Sequence, residues 1–303
     1  MPTGREQSQN GLASQPRAWA GVPLALAAAV AFALANTSAT LAYQNGSNPI
    51  TIAAARFVLP IVVLSFWLYL GGSPLRLPSS QGRIAAVLGV ITAIYNLALL
   101  NAINMIPLAL AVLVFYMFPL IAIVILSAFR LEKLRTSTIL MMALALGGLT
   151  LALNPRVGSL DYLGVALAFV AALGLGTVIV VSGQIVRAAD SRPVTLYMAT
   201  IASISLVTFC FLKGDFVLPQ NGLGWLGFAG ATVCYTFAMV SFYIAISKIG
   251  STNVALLSYT EPVAAAGLSV MLLGQVLGLP QVVGIALVIT ALIGAVLSRS
   301  RTT

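Results

Sequence analysis

Residues 107–128 read PLALAVLVFYMFPLIAIVILSA, a stretch that contains no charged residue. A helix needs roughly 20 mainly apolar residues to cross the hydrocarbon core of a bilayer. A soluble helix of this length would instead show an apolar stripe beside a polar face. The stretch therefore predicts a membrane-spanning helix, and Pro119 within it predicts an interruption of that helix.

The remainder of the chain has the same character. Of its 303 residues, 60% are hydrophobic and only 7% are charged, whereas an ordinary soluble domain carries about 25% charged residues. The sequence thus predicts an all-α integral membrane protein that lies in a lipid bilayer. We predict ten spans, at about residues 20–43, 49–71, 83–104, 107–128, 136–154, 162–186, 193–212, 223–247, 251–274 and 280–298.

The basic residues lie mainly in the gaps between the apolar runs. If the N-terminus is cytoplasmic, twelve of the fifteen Lys and Arg residues fall on the inner side, and only Arg156 and Lys213 fall on the outer side. Because positively charged loops stay in the cytoplasm, we expect a multi-pass protein of the cell inner membrane with both termini cytoplasmic. Residues 1–18 are polar and are predicted to form a disordered cytoplasmic tail. The charge of +9 therefore follows from the basic residues of the predicted cytoplasmic segments. Nucleic-acid binding is disfavoured because no basic patch with interleaved aromatics is present.

The chain carries an internal repeat. A shift of 143 residues aligns a tyrosine, a proline and an Ala-Ile pair of the two halves: Tyr116 with Tyr259, Pro119 with Pro262, and Ala102-Ile103 with Ala245-Ile246. Each half holds an odd number of spans, so the halves face opposite ways in the membrane. We expect two inverted five-helix repeats, at residues 19–155 and 160–299. Inverted repeats are typical of transporters in which two like halves exchange conformations around a central site.

Glu261 is a charged residue near the middle of the ninth predicted span. A charge at the membrane centre costs about 2.5–3.5 kcal/mol on insertion-based scales, so its presence needs a reason. Pro262 cannot donate a backbone hydrogen bond to the carbonyl of Ser258, and this predicts a free acceptor beside the carboxylate. Because broken helices near mid-membrane hold the sites of transporters, we predict that Glu261 binds substrate or a proton. A structural carboxylate paired to a neighbouring helix is the alternative.

Arg56 lies nearer the outer end of the second span. Its long side chain could extend to the membrane interface or turn inward, where it would pair with Glu261 or bind a substrate carboxylate. The sequence leaves both positions open. Other polar and aromatic residues could line a cavity or form interhelical hydrogen bonds: Tyr95 and Asn101 on the third span, Tyr235 on the eighth and Tyr259 on the ninth.

The sequence indicates no metal site and no cofactor. The chain has no His, and its two cysteines lie inside apolar runs, so neither a disulfide framework nor a metal-ligand set is predicted. An intramembrane enzyme would need a metal, a His base or paired carboxylates within a span, and it is the least favoured class. The favoured class is a transporter of a small molecule, with a passive channel or a structural membrane subunit as the alternative.

Three motifs lie between residues 20 and 298: Ala55-Arg56-Phe57, Tyr259-Thr260-Glu261-Pro262, and GQVLGLPQVVG at residues 274–284. Together with the five-plus-five layout they resemble the drug/metabolite transporter (DMT) superfamily, in particular its EamA-domain members. Gln275 stands where such proteins typically carry Glu, and the first-half counterpart of that position is Leu131-Glu132. The resemblance implies a carrier or exporter of amino acids, related metabolites or drugs, linked to a proton or another gradient. The sequence is also compatible with a homodimer.

Overall fold

The computed structural model describes residues 21–72, 76–131, 136–153, 161–188, 190–273 and 278–300. Every regular element in these ranges is an α-helix. The predicted tail, Glu132 and Gln275 lie outside the described residues.

Helices occur at all ten predicted spans, and three of these spans consist of two helices each. In chain order the helices are α1 (Gly21–Gln44), α2 (Pro49–Ala55), α3 (Val58–Leu70), α4 (Ser79–Met105), α5 (Leu108–Phe115), α6 (Phe118–Ala128), α7 (Thr136–Leu153), α8 (Tyr162–Ala188), α9 (Ser191–Lys213), α10 (Gly222–Ile249), α11 (Ser251–Leu257), α12 (Thr260–Leu273) and α13 (Leu279–Ser300). Among the described residues, eight segments can cross a membrane by length and composition: α1, the α2–α3 pair, α4, the α5–α6 pair, α7, α8, α9 and α10. The apolar part of α13, Leu279–Gly294, is shorter.

A proline follows each of the three helix breaks. Proline lacks the amide hydrogen that would bond the carbonyl four residues earlier, and its ring crowds that carbonyl. The breaks are residues 56–57 before Pro60, 116–117 before Pro119 and 258–259 before Pro262. The breaks before Pro119 and Pro262 were predicted, whereas the break before Pro60 was not, although Pro60 gives the same signal.

The carbonyl of Ser258 is not the free acceptor that the sequence predicts. The amide of Glu261 donates to it at 3.0 Å. This bond joins residues three apart, a tighter turn than in an α-helix, and it replaces the bond that Pro262 cannot donate. Glu261 then lies in the first turn of α12, where the positive end of the helix dipole favours a carboxylate.

The two halves of the chain interlock. Helices of the first predicted repeat pack along helices of the second: α1 on α10, α4 on α8, α3 and α4 on α9, α6 on α11, and α7 on α13. Large apolar side chains cover the outside of the bundle, among them Val62, Phe66, Leu140, Ile204 and Leu212. Each half therefore buries its surface mainly against the other.

Two loops at one end of the bundle are hydrogen bonded to each other. Nδ2 of Asn48, in the loop after α1, donates to the carbonyl of Asp215 at 2.7 Å. Oγ of Ser47 donates to the carbonyl of Val217 at 2.9 Å. These bonds tie the loop after α1 to the loop before α10, and so they hold these two helices side by side.

The bundle is not symmetric across the helix breaks. On one side of the breaks, α11 packs against α6. On the other side, α5 and α12 make no comparable contact. The span made of α5 and α6 and the span made of α11 and α12 are therefore in contact at one end and separated at the other.

Helices α7 and α13 cross at two glycines. A Cβ on Gly148 would lie 2.7 Å from the carbonyl oxygen of Gly284, and a Cβ on Gly284 would lie 2.3 Å from the backbone nitrogen of Ala152. Only glycine permits this close approach. The neighbouring Gly147 faces open space, since a Cβ there would meet no atom within 4 Å.

We expect Gly148→Ala to lower the stability of the purified protein by about 1–3 kcal/mol, the usual cost of overpacking. Gly147→Ala is the matched control, and it should be neutral or slightly stabilising because alanine favours a helix over glycine by roughly 0.5–1 kcal/mol. Thermal unfolding in one detergent measures both variants. Equal stability of the two would contradict the close crossing of α7 and α13.

Candidate functional site

A cavity of about 130 Å³ lies between helices of both halves. An engineered cavity of roughly 150 Å³ holds benzene, so this volume suits a small organic molecule. The wall has a polar part, made by Asn36, Arg56, Thr92, Tyr95, Asn96, Ser258 and Glu261. Its aromatic part is made by Phe32, Phe57, Phe115, Phe118, Tyr235, Phe242 and Tyr243, and the remaining lining residues are Leu99, Leu175 and Met239.

All three helix breaks border this cavity. The first break contributes Arg56 and Phe57, while Phe115 and Phe118 flank the second. Ser258 and Glu261 flank the third. Irregular backbone at membrane depth is tolerated only where it is buried in protein or lines a cavity, and the breaks meet this condition together.

The guanidinium group of Arg56 turns into the cavity and not toward the interface. Its Nη2 donates to Oδ1 of Asn96, and its Cζ lies 4.5 Å from the centroid of the Tyr235 ring. Asn96 is itself held by a bond from its Nδ2 to the carbonyl of Thr92 at 2.8 Å. Two buried atoms here have no hydrogen-bond partner among the described residues: Nε of Arg56 and Oγ1 of Thr92.

The carboxylate of Glu261 is held by neutral groups from two other elements. Its Oε1 accepts from Nδ2 of Asn36, on α1, at 2.9 Å. Tyr116, at the break between α5 and α6, is a second neighbour that interacts electrostatically with this carboxylate. The two cavity charges thus do not bond each other, because Arg56 donates to Asn96 while Glu261 accepts from Asn36.

Four of the predicted binding residues lie together, and two lie elsewhere. Tyr95 and Tyr235 line the cavity with the two charged residues. Asn101 is exposed and donates to the carbonyl of Leu97 in its own helix at 2.7 Å. Tyr259 is fully buried, and its hydroxyl donates to the backbone carbonyl of Tyr116 at 3.0 Å.

The two amides that hold the charges were not among the predicted site residues. Asn36 and Asn96 are amide side chains inside apolar runs, which is a signal for an interhelical hydrogen bond. The third span contains both Asn96 and Asn101, and the choice between them depends on how that helix is rotated about its axis. The structure turns Asn96 inward, where it is 3% exposed.

We expect Asn96→Ala to destabilise the protein by about 1–3 kcal/mol, because it removes the acceptor of a half-buried charged group. Asn101→Ala is the control on the same helix. Both side chains also bond the carbonyl four residues earlier, so that bond is lost in both variants. Asn96 differs from Asn101 in being buried and in contacting Arg56. Thermal unfolding in detergent checks the difference, and a loss of stability in Asn101→Ala as large as that in Asn96→Ala would contradict the assigned contact.

An apolar helical bundle with a charged cavity bordered by broken helices is typical of membrane transporters. The model of the EamA-like transporter family matches residues 19–154 and 162–297. The chain therefore belongs to the EamA-like transporter family, and it is a multi-pass membrane protein.

Known structures share the fold. One solved chain, described only as the crystal structure of a protein, is 20% identical and superposes with a TM-score of 0.79. The match covers 92% of this chain and 98% of the solved one. At this identity the likeness establishes the fold alone. A search of curated proteins gives no significant match.

Proposed function

We propose that this protein is a secondary transporter that carries a small zwitterionic metabolite, such as an amino acid, by alternating access. The observation that carries the proposal is that Arg56 and Glu261 share one cavity while each bonds a neutral amide. Each charge remains available to a ligand group of opposite sign, and a zwitterion supplies both groups.

The Arg56 side of the cavity suits a carboxylate. Nε of Arg56 and Oγ1 of Thr92 are buried without a partner among the described residues, and an unmade bond at such a group costs about 1–3 kcal/mol. A carboxylate can accept from both donors, and the planar guanidinium favours such two-point recognition. A bound carboxylate would recover part of this cost.

The Glu261 side suits an ammonium group or a proton. Its carboxylate is the acidic group of the cavity wall, so a substrate ammonium and a proton would compete for the same site. Such competition is how an intramembrane carboxylate links transport to a proton gradient. The aromatic wall, which includes Phe32, Phe57 and Phe242, would surround the apolar part of the substrate.

The helix packing supports two like halves that exchange conformations. The most extensive helix contacts are between the two predicted repeats, at residues 19–155 and 160–299. The packing of α1 on α10 corresponds, after exchange of the repeats, to the packing of α8 on α4. In a ten-span inner-membrane arrangement with both termini cytoplasmic, the separated helices α5 and α12 are the outer halves of their spans. This conformation is then the one that opens away from the cytoplasm.

Counterflow in proteoliposomes tests the proposal. We expect amino acids on one side to accelerate uptake of labelled amino acids from the other, which a channel does not do. Amides and decarboxylated amines of the same compounds should exchange at least tenfold more slowly, since each lacks one charge and leaves a buried group unpaired. Exchange of the amines as fast as of the parent amino acids would contradict the carboxylate site.

Glu261→Gln should abolish exchange or make it independent of pH, since the amide binds neither an ammonium ion nor a proton as the carboxylate does. Arg56→Gln should remove the preference for amino acids over their amides. Asn101→Ala, which lies away from the cavity, is the control. Unchanged pH dependence in Glu261→Gln would show a structural carboxylate instead.

Thr92→Val tests the contribution of the Thr92 hydroxyl apart from that of Nε of Arg56. The variant keeps the volume but loses the hydroxyl, so we expect KM for amino acids to rise about tenfold, equivalent to about 1.4 kcal/mol, with little change in the maximal exchange rate. Thr236→Val is the matched control, because the buried hydroxyl of Thr236 already bonds the carbonyl of Thr232 at 2.8 Å. An equal effect of both variants on KM would exclude Thr92 from the site.

A further inference from the structure

Two tyrosines at equivalent positions of the repeat meet at the centre of the bundle. Tyr116 and Tyr259 are 143 residues apart, the same shift that aligns the two halves. Their ring centroids lie 5.9 Å apart, and their side chains are 4% and 0% exposed. Each tyrosine stands at the break of its span, one residue after the corresponding residues Phe115 and Ser258.

The hydroxyl groups of this pair have different partners. The hydroxyl of Tyr259 donates to the backbone carbonyl of Tyr116 at 3.0 Å. The side chain of Tyr116 instead interacts electrostatically with Glu261, and no bond from it to the carbonyl of Tyr259 is present in the described structure. The two halves therefore differ at this tyrosine pair. They differ in the same way in their packing, because α11 packs on α6 while α5 and α12 make no comparable contact.

Exchange of the two halves would reverse these roles. In the opposite conformation, the hydroxyl of Tyr116 would donate to the carbonyl of Tyr259. A tyrosine hydroxyl has one proton to donate, so Tyr116 cannot bond the Glu261 carboxylate and that carbonyl at the same time. The two bonds of Tyr116 are therefore mutually exclusive.

We infer that Tyr116 and Tyr259 are positioning residues that couple the charge on Glu261 to the side on which the cavity opens. The inference rests on the proposed alternating access. Ionised Glu261 holds the hydroxyl of Tyr116 and so favours the conformation seen here. A proton or a substrate ammonium at Glu261 weakens that bond and releases Tyr116 to cap the carbonyl of Tyr259.

Other charged or titratable groups face Glu261 from the surrounding elements. They are Arg56 at the first break, Tyr95 on α4, Tyr116 at the second break and Tyr235 on α10. Arginine side chains are not deprotonated in proteins, and tyrosine side chains ionise only in alkaline solution. Between acidic and neutral pH, the group of this set that changes its charge is therefore Glu261.

Thiol accessibility measures the two conformations without any substrate. Leu99, a partly exposed residue of the cavity wall, is replaced by cysteine after Cys210→Ala and Cys234→Ala. A small membrane-impermeant thiol reagent is then applied to right-side-out and inverted vesicles across a pH range that spans neutrality. Because the thiolate is the reactive form of cysteine and its fraction rises with pH, each rate is divided by the rate of the same reagent with a free thiol compound at the same pH. The normalised labelling of the parent protein should occur from one side and become faster as the pH rises and Glu261 ionises.

The two tyrosine variants should respond differently. Tyr259→Phe loses a bond that exists only in the conformation seen here, so labelling should fall roughly tenfold, equivalent to about 1.4 kcal/mol, and its pH dependence should persist. Tyr116→Phe loses the link to Glu261, so the normalised labelling should become independent of pH. Tyr197→Phe, outside the cavity, should match the parent protein.

Glu261→Gln provides a second route to the same result. Its labelling should equal that of the parent protein at low pH, and adding Tyr116→Phe should change it no further. Additive effects of these two substitutions, or a pH response of Tyr116→Phe like that of the parent, would overturn the coupling. If a variant failed to fold, its size-exclusion profile would change. If loss of any tyrosine hydroxyl disturbed the protein, Tyr197→Phe would differ from the parent protein as well.

The outcome is separable from the proposed function. If every amino acid fails in counterflow while labelling follows the expected pattern, the zwitterionic substrate is wrong and the coupling stands. If counterflow succeeds while labelling of Tyr259→Phe and Tyr116→Phe equals that of the parent protein at each pH, the carrier stands and the tyrosine coupling is wrong.

Discussion

The structure depends on the constraint that a charge placed inside an apolar bundle must have polar partners. Water supplies none in the hydrocarbon region, so the protein has to bring them from its own helices. Asn96 bonds Arg56, and Asn36 bonds Glu261. Because these amides are neutral, they solvate the charges without cancelling them. A direct ion pair would have left little attraction for a charged ligand.

The helix breaks serve the same constraint. A continuous helix satisfies its own backbone and presents only side chains to a cavity, whereas a break also turns the chain and gives neighbouring residues new directions. Arg56 lies in one break, and Glu261 lies in the first turn after another. The prolines that follow the breaks therefore explain both the local geometry and the position of the two charges. Interlocking of the two halves then brings these separate segments around one cavity.

Much of the fold was predictable because membrane crossing imposes a length and a composition that the sequence displays directly. Helices occur at every predicted span, and the family match agrees with the resemblance drawn from the motifs. The first break, before Pro60, carried a signal that the sequence analysis did not use. The inverted repeat and the resemblance together led to the transporter class.

The cavity was harder to predict, because it depends on helix rotation. A helix that is apolar almost all round gives little indication of which side faces inward. Asn96 and Asn101 looked alike in the sequence, and only the packing of α4 on α8 and α9 separates them. Likewise the position of Tyr259 against Tyr116 arises from contacts between distant segments.

The most direct test of the account is a structure determined with a bound amino acid that supports counterflow. The account predicts its carboxylate within hydrogen-bonding distance of Nε of Arg56 and Oγ1 of Thr92, and its ammonium group at Glu261. A ligand bound outside this cavity, or one that leaves both charges bonded only to their amides, would contradict it.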